Sequence, residues 1–274
     1  MLPRLRTLFH HLNVANMSNA AANTNVACCT IPAVHSDYTP KGTYKSLGGF
    51  QKVYVTGPEK SDNAIIAVFD IFGYFPQTQQ GADIIASSLK TTVYMPNFFE
   101  PKEPFPTSKH PPKSDQDKAD LQAFFGPDGA AYPPANINKL VQFAQLLKSN
   151  GSKSVGAYGY CWGAKICILA GGSEDTPLNA LGMVHPAMLS SDDATKLRVP
   201  MAMYITKDEP IDEFNKINDI ISNKPFASKN DSANYKNMFH GFAAARADLA
   251  NEENKREFED VYTKLVNFFK NTLY

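Results

Sequence analysis

The chain has 274 residues, enough for one sizeable core and near the upper end of single-domain length. Lys plus Arg and Asp plus Glu are each 27, and no basic run breaks that balance, so the sequence predicts no nucleic-acid partner. With 43% hydrophobic and 20% charged residues, and nothing near the roughly 18 consecutive apolar residues of a membrane helix, a soluble globular protein without a membrane partner is expected.

Residues 1–27 read as a flexible extension ahead of one domain over 28–274. Met1–Asn16 holds Arg4, Arg6, His10 and His11 without an acid, and spaces Leu2, Leu5, Leu8, Phe9 and Leu12 helically, as a mitochondrial presequence does. The plainer alternative is an extension upstream of a start at Met17. Ser18–Thr30 is rich in Asn and Ala and reads as a lead-in. Cys28, Cys29, Cys161 and Cys167 match no zinc spacing and predict reduced thiols, hence a cytoplasmic protein, or a mitochondrial one if residues 1–16 act as a presequence.

Gln51–Val55 alternates and Ala64–Phe69 is an unbroken apolar run, so both predict strands, the second buried on both faces. Thr78–Lys90 spaces Ala82, Ile85, Ala86 and Leu89 as a helix does, and Thr92–Met95 predicts the next strand. Residues 97–134 carry eight of the nineteen prolines and predict a lid or active-site loop with a short helix around Asp117–Phe125. Asn138–Ser149 predicts a helix stopped by Gly151. Then come strand Ser154–Tyr158, helix Ala164–Leu169, strands Ala180–Val184 and Met201–Ile205, helix Asp212–Ser222, strand Asn234–Met238 and helix Glu253–Asn271. This alternation predicts a single-domain α/β fold with a mostly parallel sheet and helices on both faces.

Gly159-Tyr160-Cys161-Trp162-Gly163 lies between a predicted strand and a predicted helix, the setting of a nucleophile elbow with sulfur in place of oxygen. The glycines permit a close strand–helix approach, and the helix N-terminus favours a thiolate and other developing negative charge. The plainer alternative for Cys161 is a buried core cysteine, which is the expectation for Cys167. In chain order the acid and the histidine follow the nucleophile. His185 follows strand Ala180–Val184, next to the elbow strand, and could touch the site, but His240 lies after the last strand, where the base of this fold belongs, with Gly241 allowing a sharp turn. Asp208 and Glu209 both follow strand Met201–Ile205; Asp208 is preferred for its shorter reach, with Glu209 left to solvent before Pro210. The predicted triad is Cys161, Asp208 and His240. Backbone N–H groups of Ile71, after strand Ala64–Phe69, and Trp162, after the nucleophile, form the predicted oxyanion hole. Asp70 ends a buried strand, which is costly unless the acid is used; its alternative is a turn cap. Phe72, Tyr74, Phe75 and Trp162 would line an apolar pocket or belong to the core.

Together, Gly159–Lys165, Asp70-Ile71-Phe72-Gly73, Val184-His185-Pro186 and His240-Gly241-Phe242 resemble the dienelactone hydrolase (carboxymethylenebutenolidase) family, especially its fungal branch. Cys28-Cys29 and Thr39-Pro40-Lys41-Gly42 share that similarity. The resemblance implies a monomeric α/β-hydrolase without a cofactor, acting through a Cys–Asp–His triad on a small ester or lactone. It also implies that Asp70, one methylene shorter than the bacterial family's Glu, partners the resting thiol, and that Arg246 is a candidate for the substrate carboxylate. A thioesterase and a non-catalytic binding protein of the same fold are the alternatives.

Overall fold

The structure is a computed structural model and describes residues 31–274. The expectations for residues 1–27, the cysteine pair at 28 and 29 and the lead-in to residue 30 lie outside the described residues.

Eight strands form one sheet: β1 Thr43–Leu47, β2 Phe50–Thr56, β3 Asn63–Val68, β4 Thr92–Pro96, β5 Ser154–Cys161, β6 Ala180–Pro186, β7 Met201–Thr206 and β8 Asp231–Tyr235. Their order is β1-β2-β4-β3-β5-β6-β7-β8. The β1–β2 and β2–β4 pairs are antiparallel and all later pairs parallel. The α-helices among the described residues are α1 Pro76–Leu89, α2 Asp115–Phe125, α3 Pro133–Ser149, α4 Trp162–Gly171, α5 Ser191–Thr195, α6 Ile211–Ile221 and α7 Glu252–Leu273. This is the expected mostly parallel α/β sheet.

The period of two along each strand assigns the helices to faces. A Cβ on Gly156 or Gly182 would meet Phe269 or Leu265 of α7, and Tyr158 and Tyr160 turn the same way, toward Phe269 and Tyr262. On the opposite face a Cβ on Gly159 would meet Gly163, and Gly171 packs on Leu181, so α4 lies there. Helix α1 packs on α7, and α3 on α4. The central strands β3, β5, β6 and β7 are almost wholly buried, which explains their unbroken apolar runs.

Four elements differ from the sequence reading, one of them the short helix α5, which was unread. Strand β1 was unread; it joins β2 through Gly48-Gly49, both at positive φ (63° and 87°), a glycine pair suited to a two-residue hairpin. Strand β8 begins three residues earlier than expected. Its register on β7 runs from Ala202↔Asp231 to Thr206↔Tyr235, and the chain then turns, Met238 N donating to Tyr235 O at 2.9 Å, so buried Met238 belongs to the turn. Helix α3 starts at Pro133, where the ring's fixed φ and missing N–H suit the first turn.

The tightest packing is where β5 passes into α4. A Cβ on Gly159 would stand 2.3 Å from Gly163 C, and one on Gly163 would stand 2.2 Å from Val68 O and 2.6 Å from Phe69 O. The obstacles are backbone and cannot rotate away. Gly163→Ala is therefore expected to destabilise the protein by about 2 kcal/mol or more, as a drop in the urea midpoint. An unchanged midpoint would mean that β3 and α4 lie further apart than described.

Candidate active site

The site lies at the carboxyl ends of the parallel strands, the edge where open α/β sheets hold their ligands. Strand β5 delivers Cys161, which ends the strand one residue before α4 begins. Its φ of 53° and ψ of −116° are strained for a residue with a Cβ. Cys161 O accepts from Ala187 N at 3.0 Å, and Cys161 pairs with Pro186, so the end of β6 braces the turn. The thiol is buried. Trp162 is the first residue of α4, and the first N–H groups of a helix have no partner within it. Its indole Nε1 donates to Ala131 O at 2.8 Å and its ring packs 4.9 Å from Phe99, so the side chain fastens the elbow to segment 97–134.

Strand β3 delivers Asp70. Its Oδ1 accepts from Phe72 N at 3.0 Å and its carbonyl accepts from Gly73 N at 3.2 Å, so Asp70 caps the turn that carries Ile71. Gly73 takes a φ of 74° there. Ile71 is buried, and its carbonyl accepts from Phe105 N at 2.9 Å, tying the turn to the same segment.

Beyond β7 and β8 the expected acid changes. Glu209 Oε1 lies 2.6 Å from His240 Nδ1, with both side chains at 0% exposure. Glu209 Oε2 accepts from Thr206 N at 2.5 Å and from Thr206 Oγ1 at 2.9 Å. Asp208, the preferred residue in the sequence reading, instead accepts from the backbone N–H of His240 at 2.8 Å. The turn after β7 lets the longer side chain reach the imidazole while the shorter one meets the chain behind it. Glu209 precedes Pro210 as expected, but it is buried rather than solvated. Its carboxylate gathers three donors, the arrangement a buried charge requires. With Nδ1–H given to Glu209, the opposite ring nitrogen, Nε2, is the one suited to a nucleophile's proton.

Arg246 is fully buried, beside the His240 turn. Gly241 adopts a φ of 101°, and a Cβ there would stand 2.6 Å from Arg246 Cδ, so the glycine permits both the turn and the passage of the arginine stem. The guanidinium carbon lies 4.9 Å from the centre of the Phe72 ring. Arg246 Nε donates to Ile31 O at 2.5 Å, and Nη2 is 3.5 Å from His110 Nε2. Val34 N donates to Ala245 O at 2.9 Å, and Gln77 Nε2 donates to Val34 O at 2.8 Å and Ala247 O at 3.1 Å. Residues 31–34 thus strap the arginine turn. Phe72 meets His110 edge-on at 5.0 Å, so it stands with Arg246. Tyr74 does not share that role: its hydroxyl serves the carbonyls of Lys52 (2.9 Å) and Met95 (2.8 Å), and its ring packs on Phe69 and Tyr44. It belongs to the sheet.

Sequence reasoning missed His110 and set Glu209 second to Asp208, while His185, expected within reach of the site, has its ring centre 5.1 Å from that of His240. His110 is buried although it sits in the proline-rich segment, where no period marks an inward face. Burial pushes the Cys167 thiol well up, consistent with a core cysteine. Among the described residues no group of three or more His, Cys, Asp or Glu stands together as a metal site, and no helix is long and apolar enough to cross a membrane.

The buried pair generates a stability prediction. Glu209→Ala strands the donors of Thr206 and His240 and is expected to cost about 3 kcal/mol, whereas Asp208→Ala is expected to cost about 1 kcal/mol, both read by urea denaturation. Equal losses would contradict the assignment of Glu209 to the imidazole.

Residues 51–273 match the model of the dienelactone hydrolase family. An uncharacterized AIM2 family protein of Schizosaccharomyces pombe is 31% identical over 253 residues, covering 90% of this chain and 99% of its own. Among solved structures, a dienelactone hydrolase from Anabaena variabilis superposes with a TM-score of 0.59 at 11% identity, covering 87% of this chain and 100% of that one. A Pyrococcus furiosus esterase superposes with a TM-score of 0.55 at 13% identity, covering 89% and 98%. These two likenesses show the α/β-hydrolase fold.

Proposed function

The chain belongs to the dienelactone hydrolase family, a family of ester and lactone hydrolases, and from that premise we propose that it cleaves a small ester or lactone through Cys161, His240 and Glu209. The observation that carries this reading is the buried Glu209–His240 pair at the strand ends where an elbow holds a cysteine in left-handed backbone.

In this reaction His240 Nε2 takes the thiol proton of Cys161, and Glu209 on Nδ1 steadies the imidazolium that forms. The sulfur attacks the carbonyl carbon and the oxygen gains charge, which the N–H groups of Ile71 and Trp162 receive. The carbon–oxygen bond to the leaving group breaks, that oxygen takes the proton from His240, and a thioester on Cys161 remains. Water, giving a proton to His240, attacks the thioester; the acid leaves and the proton returns to sulfur. Asp208 positions His240 through its backbone. Asp70 holds the turn that presents Ile71, and ending the strand beside β5 it is also the candidate partner for the resting thiol.

Arg246 over Phe72 supplies a cationic, apolar-floored subsite for a carboxylate on the substrate. A carboxylate entering there competes with the Ile31 carbonyl for the guanidinium. Cys161, His240 and Arg246 all have 0% exposure, so entry requires movement of strap 31–34 or of segment 97–134, and such a site favours small molecules. We extend the proposal to a monomer with its domain over 28–274, working without a cofactor in a reducing compartment such as the cytoplasm, where the thiol survives.

The test is hydrolysis of p-nitrophenyl acetate and of a carboxylate-bearing dienelactone under reducing conditions. Cys161→Ala is expected to lower kcat on both by about 1000-fold or more. Arg246→Ala is expected to raise KM for the dienelactone about tenfold and leave the neutral ester within twofold, since one charged contact is worth roughly 1.4 kcal/mol. A folded wild type as inert as Cys161→Ala would favour a binding role instead.

A further inference from the structure

The mechanism leaves one buried imidazole beside the catalytic one unused. His185 is at 0% exposure near the end of β6. Its ring centre is 5.1 Å from that of His240 at an interplanar angle of 66°, 5.7 Å from Tyr160 at 26°, and 5.9 Å from Phe242 at 67°. Its φ is 39°, in the left-handed region where His, Asn and Asp are the side-chain-bearing residues most often tolerated. That backbone turn does two things at once. It directs the ring onto His240, and it brings Pro186 and Ala187 to Cys161, whose carbonyl accepts from Ala187 N. One strained residue therefore touches both reacting partners, through its ring on one side and through its following amide on the other.

The surroundings are built to hold this ring still. Behind it, Tyr160 of β5 is hydrogen-bonded through its hydroxyl to that of Tyr262 of α7, and Tyr262 donates to Ala243 O at 2.9 Å. Burial pushes both phenols well up, so this floor is neutral. The titratable and charged groups around His185 are His240 from the loop after β8, with Glu209 and Asp208 on it from the loop after β7; Cys161 and Tyr160 from β5; and Tyr262 from α7, with Asp70 at the end of β3 near enough to act on Tyr262. His240 must gain a proton in the first step, and a cation on His185 at this separation would oppose it by like-charge repulsion.

We propose that His185 is a positioning residue for the reaction. Its ring packs against that of His240 and keeps the catalytic imidazole turned so that Nδ1 meets Glu209 and Nε2 serves Cys161. It acts through the shape of its ring, on a left-handed backbone whose following amide also braces the nucleophile. The inference rests on the proposed Cys161–His240 reaction.

Two substitutions separate ring from backbone. His185→Asn keeps a residue that tolerates positive φ and removes the ring; His185→Phe keeps a neutral ring against Tyr160 and His240. Both would be compared with wild type and Cys161→Ala for melting temperature, for kcat and KM on p-nitrophenyl acetate, and for the pH at which iodoacetamide labels Cys161 at half its maximal rate. His185→Asn is expected to melt cooperatively, lose about tenfold in kcat with KM within twofold, and move the labelling midpoint up by about one pH unit, the same tenfold expressed as proton affinity. His185→Phe is expected to recover at least half of that loss. The inference is overturned if His185→Asn keeps the wild-type kcat and labelling profile, or if His185→Phe is as impaired as His185→Asn while both melt near wild type. Should Cys161→Ala prove as active as wild type, the reaction itself is wrong, an outcome these measurements distinguish from failure of the positioning role alone.

Discussion

Where β5 passes into α4, strand becomes helix within one residue, and that residue is Cys161. The turn is possible because Gly159 and Gly163 let three stretches of backbone touch: the end of β5, the start of α4 and the end of β3. No side chain fits between them. The consequences spread outward from this contact. It puts the cysteine in a strained conformation at the mouth of the sheet, at the N-terminus of α4, and places the Asp70 turn alongside. Preorganisation of this kind resides in the backbone and survives changes in the substrate.

The second constraint is burial of charge. Glu209 and His240 lie wholly out of water, and an unsupported carboxylate there would cost several kcal/mol. Thr206 and the imidazole supply the donors, Asp208 accepts from the backbone N–H of the histidine, and the ring of His185 packs on that of His240. Arg246 is similarly enclosed, by Phe72, His110 and the strap at Ile31. The site is shut as well as ordered, so the proposed reaction requires motion in each turnover. The strap and the proline-rich segment, both hydrogen-bonded directly to site elements, are the parts placed to supply it.

The fold and the strand–turn–helix setting of Cys161 were legible because they depend on local rules. Buried parallel strands read as apolar runs, and Gly-x-Cys-x-Gly between a strand and a helix has few other uses. Glu209 was misread because choosing between adjacent acids requires the geometry of a turn set by the pairing of β7 with β8, and β8 itself was placed three residues late. Gly48-Gly49 was a usable signal for β1 that went unread. His110 carried no such mark: it sits in a segment without a period, and only the folded chain brings it to Arg246. His185 was placed within reach of the site by its strand, but its packing on the His240 ring depends on left-handed backbone that the sequence did not show.

The central claim is that the sulfur of Cys161 becomes acylated, and trapping that thioester tests it most directly. Wild type and Glu209→Gln would be mixed with p-nitrophenyl acetate, quenched in acid within the first turnovers, digested and analysed by mass spectrometry. The account predicts one acetyl group, removable by hydroxylamine, on the peptide bearing Cys161 and none on the peptide bearing buried Cys167, with Glu209→Gln acylating at least 100-fold more slowly. Turnover with no acyl group on Cys161, or equal acylation rates in the two proteins, would contradict it.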